Sequence, residues 1–172
     1  RFERAKGVET LIKSFIQLAK KYTNIQLINI GEPRGKSLKK CMTLLQKNNL
    51  VDKVVFTGFV EYDDLPNYYA KADIVVVPSE IYESFSYTVA QGMACGKPVI
   101  ASKIGGIPET MNNGNAGFLF EPGNVDHLFD KIDTLYQDEK LRNQLGEKAR
   151  VFIQQYCSME SLKPKYMDFY QS

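Results

Sequence analysis

Glu83 and Gln91 stand eight residues apart in Pro78-Ser79-Glu80-Ile81-Tyr82-Glu83-Ser84-Phe85-Ser86-Tyr87-Thr88-Val89-Ala90-Gln91-Gly92-Met93-Ala94-Cys95-Gly96-Lys97-Pro98-Val99-Ile100. On one continuous helix that spacing is a rise of ~12 Å, too long for a shared acid/base step. The two side chains read better as separate handles on one long ligand. A helix starting near Ser86 leaves the amides of Phe85, Ser86, Tyr87 and Thr88 free, and the helix dipole adds its positive end, so the turn can face an anion. Cations stand at the start of the chain, in Arg1-Phe2-Glu3-Arg4-Ala5-Lys6-Gly7, before an amphipathic helix. On its own such a basic stretch is most often a solvated surface. Two further turn segments, Thr57-Gly58-Phe59-Val60 and Gly105-Gly106-Ile107-Pro108-Glu109, each follow an apolar run.

The elements that must position these groups alternate. Val8, Leu11, Ile12, Phe15, Ile16, Ala19 and Tyr22 recur at helical spacing, and Ile25-Gln26-Leu27-Ile28-Asn29-Ile30 follows as a short strand rich in branched residues. Helix 38–50, strand 53–58, helix 64–71 and strand 72–78 repeat the pattern. A helix from about Ser86 to Cys95 leads to strand 98–101, and a last strand covers 116–120. Strands without polar alternation are expected to be buried on both faces. Alternation of this kind predicts an α/β fold, a Rossmann-like doubly wound parallel sheet with right-handed crossovers. Ligands of such sheets bind beyond the carboxyl ends of the strands, where Glu83 and its helix start are placed. From about residue 124 to 172 the sequence is wholly helical, and these helices should cover the sheet. Ser158 or Ser161 is positioned to cap the last one, which accommodates Pro164 only in its first turn.

Composition narrows the rest. A chain of 172 residues, 44% hydrophobic, suits one domain. Its net charge of +2 gives no electrostatic ground for bulk nucleic-acid or membrane binding, so any basic residue that matters acts locally. Cys41, Cys95 and Cys157 are widely spaced with no C-x-x-C pair, which argues against a disulfide framework or zinc site and for reduced thiols. His127, the only histidine, reads as a surface side chain with no metal cluster to join. Tyr68 and Tyr69 read as rim and core rather than as a stacking platform.

The Pro78–Ile100 run resembles the E-x7-E segment of the retaining, nucleotide-sugar-dependent glycosyltransferases of family 4 (group 1), with Gln91 where the second glutamate is usual. Arg1 to Gly7 resembles that family's G-R-L-x-x-E-K-G entry, and Gly105–Glu109 its G-G-x-P-E turn. The resemblance extends over essentially the whole chain and corresponds to the C-terminal half of a two-domain GT-B enzyme. It implies a donor-binding domain over residues 1–172, with 124–172 as covering and crossing helices and the acceptor site on an absent N-terminal domain. It implies transfer of a hexosyl group with retention of configuration, with Arg1 and Lys6 on the donor diphosphate and Glu83 on the sugar. The amides of Phe85 to Thr88 would face the diphosphate, Gln91 the ribose, and Gly105 and Gly106 would let the backbone approach the sugar. Val60 would follow the strand end that forms the base pocket, and Ile30-Gly31-Glu32-Pro33-Arg34 would lie near the cleft, with Glu32 and Pro33 read as turn residues.

By the same resemblance no cofactor and no metal are expected, and no Asp-x-Asp motif is present. The partners are a nucleotide sugar and a sugar, lipid or protein acceptor, without nucleic acid, in a cytoplasmic protein whose membrane contact would fall to the other domain. Three departures stand out: Ser84 and Ser86 replace glycines, giving up access to positive φ, and Gln91 keeps an acceptor oxygen but gives up the charge. Two rivals share the fold, a nucleotide-sugar 2-epimerase domain and a non-catalytic nucleotide-sugar binding module. Transfer by the isolated domain is not expected.

Overall fold

The computed structural model describes residues 6–31 and 35–171. Among the described residues, five α-helices and five short strands alternate through the sheet region: α1 (Val8–Lys21), β1 (Leu27–Asn29), α2 (Gly35–Lys47), β2 (Val54–Phe56), α3 (Leu65–Lys71), β3 (Val75–Val77), α4 (Tyr87–Ala94), β4 (Val99–Ser102), the single turn α5 (Ile107–Thr110) and β5 (Phe118–Phe120). Three helices close the chain, α6 (Val125–Gln137), α7 (Glu139–Cys157) and α8 (Met159–Gln171). All strand pairs are parallel, in two sets: β1 with β2, and β3-β4-β5 with β4 central.

Period-two alternation divides the core. Val99 and Ala101 of β4 join Val75 and Val77 of β3 beneath Tyr69 of α3, Val89 and Met93 of α4, and Ala149 and Ile153 of α7. Ile100, between them, turns the other way to meet Leu11 of α1, Phe120 and the α6 residues Leu128 and Leu135. The sheet is thus covered by α1 and α6 on one face and by α3, α4 and α7 on the other. A third cluster sets Ile12, Phe15 and Ile16 of α1 against Cys41 and Leu45 of α2 and Val54 of β2. Each fully buried Leu, Ile, Val or Phe side chain contributes ~1.5–3 kcal/mol relative to exposure, so these stripes fix the layer order.

Burial on both faces holds for β3 and β4 but not for the outer pair. Ile28 of β1 is 38% and Val55 of β2 41% exposed, because α1 and α2 cover only the opposite face and α3 buries only Tyr69. Ser158 caps α8, its hydroxyl accepting from the Ser161 amide at 3.1 Å. Pro164 is inside that helix rather than in its first turn, at the cost of one ladder donor. Tyr69 is core and Tyr68 half-buried, as the spacing predicts. His127 is half-buried rather than free at the surface: its Nδ1 accepts from the Glu121 amide at 3.2 Å and ties β5 to α6. No helix among the described residues is long and apolar enough to cross a membrane.

Candidate functional site at the strand ends

Glu83 is held where a ligand of a parallel sheet would bind, in the loop between β3 and α4. Three close backbone approaches build its surroundings. Gly7, at φ 65° before α1, lies so near Pro78 that a Cβ there would stand 1.6 Å from the Pro78 carbonyl oxygen. A side chain is therefore excluded, and the residue before it, Lys6, is delivered to the carboxyl end of β3. Gly106 donates its amide to the Glu83 carbonyl at 2.7 Å. A Cβ on Gly105 or Gly106 would reach the backbone of Glu83 or Ser84 within 2.4 or 2.0 Å. The loop carrying the carboxylate is thus clamped from both sides by chain segments that can approach only as glycine.

Within that clamp the Lys6 ammonium and the Ser79 hydroxyl both donate to Glu83 Oε1, each at 2.5 Å. The carboxylate is 15% and the ammonium 39% exposed. Burial raises the Glu83 pKa, but the Lys6 and Ser79 hydrogen bonds, the Lys6 charge and the Ser86 hydroxyl outweigh it and hold the group below the ordinary carboxylate range. Glu83 is therefore ionised at neutral pH. Beside it, Thr10 of α1 donates to Glu80 Oε1 at 2.6 Å, a second tie from α1 to the same loop.

Helix α4 starts where the sequence predicts, with Ser86 as N-cap. Its first ladder bond runs from Ala90 to the Ser86 carbonyl, so the amides of Ser86, Tyr87, Thr88 and Val89 precede the ladder. The set is displaced by one residue from the expected Phe85 to Thr88: the Phe85 amide lies before the helix, and its ring meets Tyr87 edge-on with centroids 5.2 Å apart. Ser86 makes no side-chain cap. Its buried hydroxyl instead turns to Glu83. Neither Ser84 nor Ser86 takes a positive φ, so the serines replace the usual glycines without backbone strain.

Gln91, one turn into α4, accepts from the Tyr69 hydroxyl through Oε1 at 3.1 Å. The loops after β1 and β2 meet in an isolated bridge between Gly31 and Gly58, with Val60 half-buried just beyond. Arg1 lies outside the described residues, as do Glu32, Pro33 and Arg34. The structure thus brings Lys6, Glu83, the α4 start, Gly105 and Gly106 together. The sequence reading assigned no role to Ser79 or Gly7, although each stands in a segment that carries the resemblance, nor to Thr10 and Tyr69, which carry no motif. No group of three metal-ligating side chains occurs among the described residues.

A carboxylate is thus clamped at the end of a parallel sheet, beside a lysine and a helix start, and the sequence relationships say to which family this α/β domain belongs. Residues 1–152 match the profile of the Glycosyl transferases group 1. The chain belongs to that family. It is 28% identical over 169 residues to the N-acetyl-alpha-D-glucosaminyl L-malate synthase of Bacillus anthracis, covering 98% of this chain and 43% of that enzyme. Its fold matches the Anabaena HepE protein in complex with UDP at a TM-score of 0.90 and 26% identity, over 99% of this chain and 46% of that one. The C-terminal domain of the Francisella tularensis group 1 protein LpcC matches at 0.80 and 30% identity, over 88% of this chain and 79% of that one. The chain spans under half the length of the curated relative it matches. Its Rossmann-like architecture is that of GT-B glycosyltransferases.

Proposed function

We propose that this chain is the donor-binding half of a retaining, metal-independent hexosyltransferase that uses a nucleoside diphosphate sugar. The observation that carries the reading is the clamped Lys6–Glu83 pair, set before the free amides of α4. A diphosphate needs cations and amide donors, and a hexose needs hydrogen-bonding side chains; both kinds meet here within one loop. Relatives that bind UDP, such as HepE, support a nucleotide as ligand.

Lys6 carries three donors and uses one on Glu83, so it can also meet a phosphate oxygen. With Arg1 it would offset the charge that builds on the leaving diphosphate, an interaction stronger in the transition state than in the ground state. Glu83 would accept from sugar hydroxyls with its remaining lone pairs and so orient the ring. Gly105 and Gly106 would bring backbone to the sugar, and Val60 would border the base. The bond from the anomeric carbon to the diphosphate breaks as the acceptor oxygen bonds on the same face, and the acceptor proton passes to the leaving phosphate. That route needs no side-chain nucleophile. The acceptor surface would belong to the other half of the enzyme.

Calorimetry in chelator, with a nucleoside diphosphate and the bare nucleoside, tests this. Lys6→Ala and Arg1→Ala should each weaken the diphosphate by about 10- to 100-fold, from loss of a charge-assisted hydrogen bond, and leave the nucleoside unchanged. Equal losses for both ligands, or binding only with manganese, refute the assignment.

A further inference from the structure

We propose that Tyr69 is a positioning residue that fixes Gln91 with its amide oxygen inward, so that the site offers the ligand a hydrogen-bond donor where a glutamate would offer only an acceptor. This rests on the donor-site reading above and specifies which atom of the nucleotide Gln91 would meet. The Tyr69 ring is 7% exposed and packs in the core with Val75, Val89 and Met93. Its hydroxyl is buried with it and needs an acceptor, since a buried O–H left unpaired is costly. Gln91 Oε1, at 3.1 Å, is the partner the structure gives it.

The direction of that bond follows from the phenol. Burial, with a smaller contribution from Cys95, pushes the Tyr69 pKa up to about 12, so the hydroxyl keeps its proton at any physiological pH. Turning the amide over would let its nitrogen donate to the phenolic oxygen but would leave the phenolic proton without an acceptor among the described residues. With Oε1 committed inward, the amide nitrogen donates to no described residue. In this arrangement the amide nitrogen is the group Gln91 has left to offer, one turn into the helix whose amides outside the ladder begin at Ser86. Gln91 extends that row of N–H groups instead of closing it with an acceptor.

The chemical consequence concerns the ligand's protons. A glutamate at this position would hold a ribose hydroxyl only by accepting its proton. The amide nitrogen donates to the ribose oxygen and does not require that proton. A nucleotide whose 2'- or 3'-oxygen is methylated keeps the oxygen and lacks the proton, so the two side chains should rank the ligands differently.

The test measures Kd for a nucleoside diphosphate and for its 2'-O-methyl and 3'-O-methyl forms, on the wild-type chain and on Gln91→Glu and Tyr69→Phe. Bulk of the methyl group affects all variants alike and cancels in the ratio of methylated to unmethylated Kd. For one of the two positions, that ratio should be about 10- to 100-fold larger in Gln91→Glu than in wild type, the worth of one hydrogen bond to a charged acceptor. Tyr69→Phe should move the wild-type ratio in the same direction, because the freed amide can turn its oxygen outward. In the free protein, the Gln91 side-chain amide protons should show contacts only away from the Tyr69 ring, and in Tyr69→Phe they should show contacts on both sides. Ratios equal across the three proteins, with nucleotide bound, overturn the inference and leave the donor-site reading intact. Absence of nucleotide binding by the wild type overturns the donor-site reading and this inference with it. Gln91 amide protons lying against the Tyr69 oxygen would overturn the inference by themselves.

Discussion

Replacing Gly7 by alanine isolates the contact that delivers Lys6 to the site. The new Cβ would lie 1.6 Å from the Pro78 carbonyl oxygen and 2.7 Å from its carbon, at a φ of 65°. A left-handed conformation costs an L-residue about 1–2 kcal/mol, and forcing packed backbone apart adds about 1–3 kcal/mol. The loss is then about 2–5 kcal/mol, a large share of the roughly 5–15 kcal/mol that holds a domain. For a chain of this size that lowers Tm by about 10 °C. Gly58 is the control, because it has the same kind of φ, 71°, and nothing within 4 Å of its would-be Cβ. Gly58→Ala should therefore lose only the conformational part, about 1–2 kcal/mol. Urea unfolding of the two variants measures the difference directly, and calorimetry reads whether Gly7→Ala also weakens diphosphate binding by moving Lys6. If the two variants lose equal stability, α1 does not enter by pressing on the β3 end, and the account of how Lys6 is placed fails.

Glu83 should make stability depend on pH with a definite sign. Its folded pKa lies below the ordinary carboxylate value of about 4.3, so its contribution is fully present above that value and is lost as pH falls through the folded pKa. The advantage of wild type over Lys6→Met in urea unfolding should be constant from neutral pH to about 5 and shrink below about 4; a constant difference down to pH 3 would place the pair elsewhere. In the two-domain transferase proposed above, Glu83→Ala should lower kcat at least tenfold while nucleotide Kd changes less than threefold, since its expected partner is the sugar; matched losses in both would move Glu83 to the nucleotide. Cys41, fully buried and with its thiol pKa pushed up by burial, should be the last cysteine to react with a thiol reagent in native protein, after Cys95 and Cys157. Mass spectrometry of partly labelled chains decides the order, and early labelling of Cys41 would contradict the packing of α1 on α2.

The architecture was legible because its strongest signals are periodic. The α1 stripe and the unbroken Val75-Val76-Val77 run each admit one placement, on and in a parallel sheet. The Glu83 loop and the start of α4 were legible for a different reason, as a polar motif interrupting an apolar pattern. Residues that act across the chain were not. Ser79, Thr10 and Tyr69 gain their roles from what lies opposite them in space, and Gln91 looks like an acceptor until Tyr69 occupies its oxygen. The exposed Ile28 and Val55 misled in the same way, since a β-branched run is identical whether one face or two are covered.

The two strand sets have a mechanical consequence. No ladder bond joins β1-β2 to β3-β4-β5 among the described residues, yet both lie under α1, which sends Leu11 into one cluster and Ile12 and Phe15 into the other. Cohesion between the halves thus passes through side-chain contact, beneath α1 and at Leu27 of β1, which packs with both clusters, and such contact fades within an ångström of separation. Helix α1 works as a splint: amide exchange in the two halves should be synchronised while it is seated, and each half should open on its own schedule once it lifts.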